Sequence, residues 1–274
     1  MTAEPVTFLL DNGSLEPAAT LRLRELAQAL AARVGEPVEP VSLLHSSVIA
    51  RDRLGGVAAE NFEPAVERRA EQGRREFLVV PLFFGPSRAI TEYLPRRIGV
   101  LRGKFSGLAV RVAPPLFDRE DPRLAQILAD HVRAVSGGSP CRVALVDHGS
   151  PIRAASEVRN ALVRQLSAEL GRSSEVAGCC LERRPGPDHD FNGPLLAELL
   201  SHDGWNTGEV AVALQFLLPG RHAGPGGDVA EICRRAETEH PGLRACLTPL
   251  VGGHPRLPDI LADRWRSGRR APPL

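Results

Sequence analysis

The sequence predicts an α/β protein built as two tandem doubly wound domains, each a four-stranded parallel sheet flanked by helices. Two observations predict it. Three separate segments recur in the same order along the chain, and short apolar runs alternate with amphipathic helical stretches in both halves. The segment Asp11-Asn12-Gly13-Ser14 returns as Asp147-His148-Gly149-Ser150, Phe83–Ala89 returns as Phe216–His222, and Asp121–Asp130 returns as His254–Asp263, at offsets of 136, 133 and 133. Three pairs in register mark an internal duplication. The stretch Ser136-Gly-Gly-Ser-Pro140 is the expected linker, giving domains 1–137 and 138–274.

Each half opens on an apolar run, Val6–Leu10 and Arg142–Val146, that suits a buried strand. Helical stretches Ala19–Val34 and Ala154–Leu170 follow, stopped by Gly35 and Gly171. Second strands are expected at Val38–Leu44 and Val176–Leu181, then more polar helices. Third strands are expected at Glu76–Phe84 and Glu209–Leu218, and fourth strands at Leu108–Ala113 and Leu243–Thr248 before closing helices. Asp228, three residues before Glu231, has the spacing of a capping box. Strands separated by helices imply right-handed crossovers and parallel pairing. Ligands then bind beyond the carboxyl ends of the strands, where the winding reverses.

Composition narrows the function. With 34 Lys and Arg against 33 Asp and Glu, the chain has no basic footprint for nucleic acid or an anionic membrane. No apolar run is long enough to cross a bilayer, and the N-terminus lacks a signal-peptide pattern, so a cytoplasmic protein is expected. The five Cys lack C-x-x-C spacing and are expected as plain buried thiols.

In the second half three ligand-type residues each follow a strand: His148, Glu182 and His222. Neighbouring strands lie about 4.8 Å apart, so the three side chains can converge on one divalent metal while leaving coordination positions open. Gly149 and Gly220 beside the histidines would let a flat ligand approach the backbone.

Asp147-His148-Gly149-Ser150, the run Phe216-Leu-Leu-Pro-Gly-Arg221-His222, the segment Pro249–Leu257 and the helix Ile260–Arg264 resemble the class II chelatases, ATP-independent enzymes that insert cobalt or iron into sirohydrochlorin. The likeness spans nearly the whole chain and matches the long, internally duplicated form. It implies that His148 and His222 bind metal and accept protons, with Glu182 helping to hold the metal. The first half departs from the pattern, with Asn12 and Ala89 at the histidine positions and His45 taken as the counterpart of Glu182. Asp147 and Gln215 stand where the family has a small or apolar residue and proline.

The resemblance further implies a tetrapyrrole substrate and Co²⁺, Fe²⁺ or Ni²⁺ as the co-substrate, with no other cofactor. A monomer of two pseudo-symmetric halves is expected, with the macrocycle entering between them. No phosphate-binding loop of the Gly-x-x-x-x-Gly-Lys type is present, which agrees with ATP independence. The substrate's acetate and propionate groups would need cationic anchors: Arg221, Arg88, Arg183, Arg184 and Arg153, with Gly149 and Ser150 on the adjoining turn. A non-catalytic metal or tetrapyrrole carrier is the alternative reading.

Overall fold

The computed structural model describes residues 4–224 and 226–274. The first repeat runs β1 (Val6–Asp11), α1 (Pro17–Val34), β2 (Val38–Ser42), α2 (Phe62–Glu71), β3 (Glu76–Pro81), α3 (Leu94–Lys104), β4 (Ala109–Val112) and α4 (Arg123–Ser136). The second runs β5 (Arg142–Asp147), α5 (Arg153–Leu170), β6 (Glu175–Cys180), α6 (Leu196–Ser201), β7 (Gly208–Leu214), α7 (Asp228–Glu239), β8 (Leu243–Leu247) and α8 (Leu257–Arg270). Both sheets are parallel, in the orders β2-β1-β3-β4 and β6-β5-β7-β8. The expected fold class is therefore the observed one, with the winding reversing beside β1 and β5. The third strands stop earlier than expected. Leu82 and Gln215 still donate to Leu10 and Val146, but β1 and β5 end at Asp11 and Asp147, and beyond that the Phe83 and Phe216 carbonyls accept from the loop residues Leu116 and Val251. Gly35 caps α1 in the left-handed conformation, its N–H on the Ala31 carbonyl, as its position suggested.

Alternation along each central strand sorts its side chains between two helical layers. On β1, Phe8 and Leu10 pack with Phe62, Val66, Leu94 and Ile98 of α2 and α3; on β5, Ala144 and Val146 pack with Leu196, Leu200, Val229 and Cys233 of α6 and α7. The opposite face of each sheet takes α1 or α5 and one closing helix.

Here packing departs from the repeat boundary expected at 137/138. The compact units are Met1–Leu116 with Pro255–Leu274 (unit 1) and Phe117–His254 (unit 2). Helix α4 closes the first repeat yet packs on α5 and β7, burying Leu124, Ile127, Leu128 and Val132. Helix α8 closes the second repeat yet packs on α1 and β3. In unit 1 the Trp265 indole N–H donates to Thr7 Oγ1 at 3.3 Å, and Arg264 Nε and Nη2 donate to the Leu116 carbonyl at 3.2 and 2.9 Å. The five cysteines are free thiols, and burial pushes the Cys180 and Cys233 thiols up to about 11 and about 12.

Asp11, at the end of β1, is buried with no partner for Oδ1, and burial raises its carboxyl to about 6 despite hydrogen bonds from the Ser42 hydroxyl and the Gly13 N–H. Below about pH 4 the group is protonated in the folded chain and carries no penalty. The penalty grows as pH rises from the unfolded value near 4 to the folded value of about 6, is complete above it, and costs roughly 2–3 kcal/mol at neutral pH. Asp11→Asn should therefore stabilise the protein by about that amount at pH 8 and by almost nothing at pH 4, as read from urea unfolding midpoints.

Candidate metal and substrate site

The three strand ends that sequence singled out lie side by side, because β5 stands between β6 and β7 in the sheet. His148 follows β5, Glu182 lies two residues beyond β6, and His222 sits in the loop between β7 and α7. The histidine rings meet edge to face, with centroids 4.6 Å apart and Nε2 atoms 3.2 Å apart. Glu182 Oε1 lies 3.5 Å from His148 Nε2, on a mostly exposed side chain.

The ring tautomers follow from the partners of the other nitrogens. His222 Nδ1 lies 2.7 Å from Asp228 Oδ2, and His148 Nδ1 lies 3.2 Å from the Gly149 carbonyl. A carboxylate and a carbonyl only accept, so a hydrogen on each Nδ1 satisfies both contacts and is the tautomer that leaves both Nε2 lone pairs facing each other. Two lone pairs at 3.2 Å repel unless a cation lies between them. A divalent ion at the usual 2.0–2.1 Å from each nitrogen would subtend an angle of about 100° there, between octahedral and tetrahedral values. Metal binding uses both Nε2 lone pairs, so metal and proton compete for the pair.

Among the described residues, no group of three or more His, Cys, Asp and Glu side chains is gathered into a ready-made metal cage. The firm part of the site is the histidine pair. The Glu182 carboxylate reaches only one of the two rings and has rotamer freedom to close onto an ion.

Asp228, read from the sequence as part of a capping box, stands beside His222 instead. No side chain caps α7; Gly227 occupies the cap position and the Asp228 carboxylate is turned to His222 instead. The separation of six residues between a loop histidine and the first residue of a helix was the available signal. Partners of this kind are commonly worth 10- to 100-fold in metal affinity. Asp228→Asn should accordingly weaken Co²⁺ binding by about 10-fold or more in a titration followed by absorbance, with the fold unchanged by circular dichroism.

Gly149 serves the chain path. Its φ is +89°, and a Cβ there would collide with the Glu182 carbonyl oxygen; Gly13 stands in the same relation to the Leu44 carbonyl in unit 1. Ser150 is held by its N–H on Asn192 Oδ1 at 2.9 Å and accepts the Ile152 N–H at 3.0 Å, which shapes the turn into α5.

Of the expected cationic anchors, Arg183 donates to the Gly193 carbonyl and lies 3.6 Å from Glu198. Arg221 is exposed beside Asp228, Arg184 is exposed, and Arg153 lies 4.9 Å over the Phe191 ring. Arg88 belongs to unit 1 and pairs with Glu92 at 3.1 Å.

The repeat comparison needs one correction. Leu44 N–H bonds the Asn12 carbonyl just as Glu182 N–H bonds the His148 carbonyl, and Asp11 pairs with Ser42 as Asp147 pairs with Cys180. The counterpart of Glu182 is therefore Leu44. His45 lies one residue beyond, with φ +67°. With Asn12, Leu44 and Ala89 at the three positions, unit 1 keeps no ligand at any of them.

Residues 6–135 and 142–267 each match the model of the family described as CbiX. Among solved structures, SirB from Bacillus subtilis with Fe³⁺ is similar at a TM-score of 0.71 and 18% identity, over 98% of this chain and 96% of that one. The sirohydrochlorin chelatase SirB from Bacillus subtilis subspecies spizizenii in complex with cobalt is similar at 0.71 and 16%, over 97% and 96%. CbiX, the terminal enzyme for biosynthesis of siroheme in denitrifying bacteria, is similar at 0.61 and 19%, over 96% and 98%. No curated relative matches the sequence. Among the described residues no helix is long and apolar enough to cross a membrane.

Proposed function

Because the chain belongs to the CbiX family, both repeats matching its model, we propose that it inserts a divalent metal, Co²⁺ or Fe²⁺, into sirohydrochlorin without ATP. The observation that carries this reading is the pair of histidine Nε2 atoms 3.2 Å apart at the switch point of unit 2. The similar structures of SirB with Fe³⁺ and of the sirohydrochlorin chelatase SirB in complex with cobalt support it.

Insertion requires the metal to shed water ligands and the macrocycle to lose two pyrrolic protons. In this reading His148 and His222 take the ion through Nε2, and Glu182 swings onto it as a third ligand. As the ion passes to the pyrrole nitrogens, the histidine Nε2 atoms become free again and accept the protons released. The Asp228 carboxylate 2.7 Å from His222 Nδ1 holds that ring in place for the transfer. Arg221, Arg184 and Arg153 remain the candidate anchors for the substrate's carboxylates.

Following the absorbance of sirohydrochlorin with purified protein and Co²⁺, Fe²⁺ or Ni²⁺ in turn tests the reading. Metal-dependent spectral conversion well above the uncatalysed rate is expected. Tetrapyrrole or metal binding without conversion would replace the enzyme with a carrier.

A further inference from the structure

Arg159 is one of the largest side chains fully buried in the protein, at 1% exposure, and it lies behind the first histidine. From α5 its Nη1 donates to Asp147 Oδ1 and to the Cys179 carbonyl, each at 3.2 Å, while Nε and Nη2 donate to Asn160 Oδ1. Gly178 on β6 makes the room: a Cβ there would come within 3.1 Å of Arg159 Nε. The same Asp147 oxygen accepts the Gly149 N–H at 3.1 Å, and the Gly149 carbonyl faces His148 Nδ1. One run of hydrogen bonds thus leads from the buried guanidinium to the ring whose Nε2 faces His222.

The fold does not need this arginine. Helices α1 and α5 are both 18 residues long and start 136 residues apart, the offset that separates Asp11 from Asp147, so the equivalent of Arg159 is Leu23, buried at 1% exposure. Unit 1 builds the same sheet and helix with leucine there, keeps its buried aspartate, and has asparagine in place of the histidine. Burying a guanidinium costs several kcal/mol in desolvation, and an apolar pair of similar volume is often as stable or more so. The cation is retained only in the repeat that has the histidine.

We propose that Arg159 is a positioning residue for the metal site: through Asp147 and the backbone of Gly149 it fixes the His148 ring with Nε2 toward His222. This rests on the histidine pair being the metal site, but the test uses metal binding alone, so it stands or fails apart from chelatase turnover.

The decisive comparison is Arg159→Leu, which installs the unit 1 residue, against Arg159→Lys in the full-length protein, with Co²⁺ titrated by its visible absorption. Arg159→Leu should lose about 10- to 100-fold in Co²⁺ affinity and change the intensity of the cobalt bands, while Arg159→Lys recovers part of both. If Arg159→Leu does not fold, Asp147→Asn with Arg159→Leu removes both buried charges and should show the same loss. In a His148→Ala background the substitution should add little. In the conversion assay kcat should fall while KM for sirohydrochlorin stays near wild type. A folded Arg159→Leu protein with wild-type Co²⁺ affinity and spectrum overturns the proposal. So does an equal loss on top of His148→Ala, since the arginine would then act elsewhere. Should wild-type protein bind Co²⁺ but not insert it, the proposed reaction fails and the positioning role remains.

Discussion

Replacing either His148 or His222 by Ala is expected to reduce metal insertion to the uncatalysed rate. Each substitution leaves one imidazole where two Nε2 lone pairs now face each other, with Glu182 as a single mobile carboxylate beside it. Losing a direct ligand should exceed the roughly 10- to 100-fold cost of losing a supporting hydrogen bond. The two variants should also differ. His148 is the more exposed ring, whereas removing His222 also strands the Asp228 carboxylate. Asn12→Ala is the matched control in unit 1 and should leave the rate close to wild type. Initial rates of sirohydrochlorin conversion check this, and wild-type rates in a folded His222→Ala protein would remove that residue from the site.

The second large effect concerns how the chain can be cut. A fragment divided at the sequence repeat, 140–274, lacks α4, whose Leu124, Ile127, Leu128 and Val132 are buried in unit 2. At roughly 1.5–3 kcal/mol for each aliphatic side chain, about 6–12 kcal/mol of burial is lost, comparable with the whole stability of an ordinary domain. The fragment keeps α8, but α8 is fitted to unit 1: its Trp265 N–H donates to Thr7, and the equivalent position on β5 is Val143. Fragment 140–274 should therefore show no cooperative unfolding transition in urea, whereas 117–254 should unfold cooperatively. Equal stability of the two would mean that α8 replaces α4 on the second sheet.

The duplication was legible and the exchange of closing helices was not, for a physical reason. Both helices carry the same Pro-Arg-Leu start and Ile-Leu-Ala-Asp core, so nothing in their pattern assigns either to a particular sheet. The alternation of strands and helices was legible because buried parallel strands and amphipathic helices have different periods. His148, Glu182 and His222 were visible because parallel topology puts residues just past strand ends at one edge. Asp228 was read as a capping residue, since an acidic residue at a helix start fits that role by sequence alone. Arg159 was not singled out, since an arginine on an amphipathic helix reads as a solvated side chain. Two signals could have exposed it: its replacement by Leu23 in the other repeat, and a glycine, Gly178, inside a buried strand. The alignment that made His45 the counterpart of Glu182 slipped by one residue, a displacement that the strand register resolves.

The account turns on two imidazoles that both keep Nδ1–H and both offer Nε2 to one ion. Long-range ¹H–¹⁵N correlation spectra of the histidine rings, recorded as Zn²⁺ is added to the ¹⁵N-labelled full-length protein, test this directly. Nε2 of His148 and of His222, assigned by the single Ala variants, should shift together and saturate at one equivalent of metal, while both Nδ1 atoms stay protonated. Zn²⁺ binding that leaves both rings unchanged, or that engages Nδ1 of either, would contradict the account.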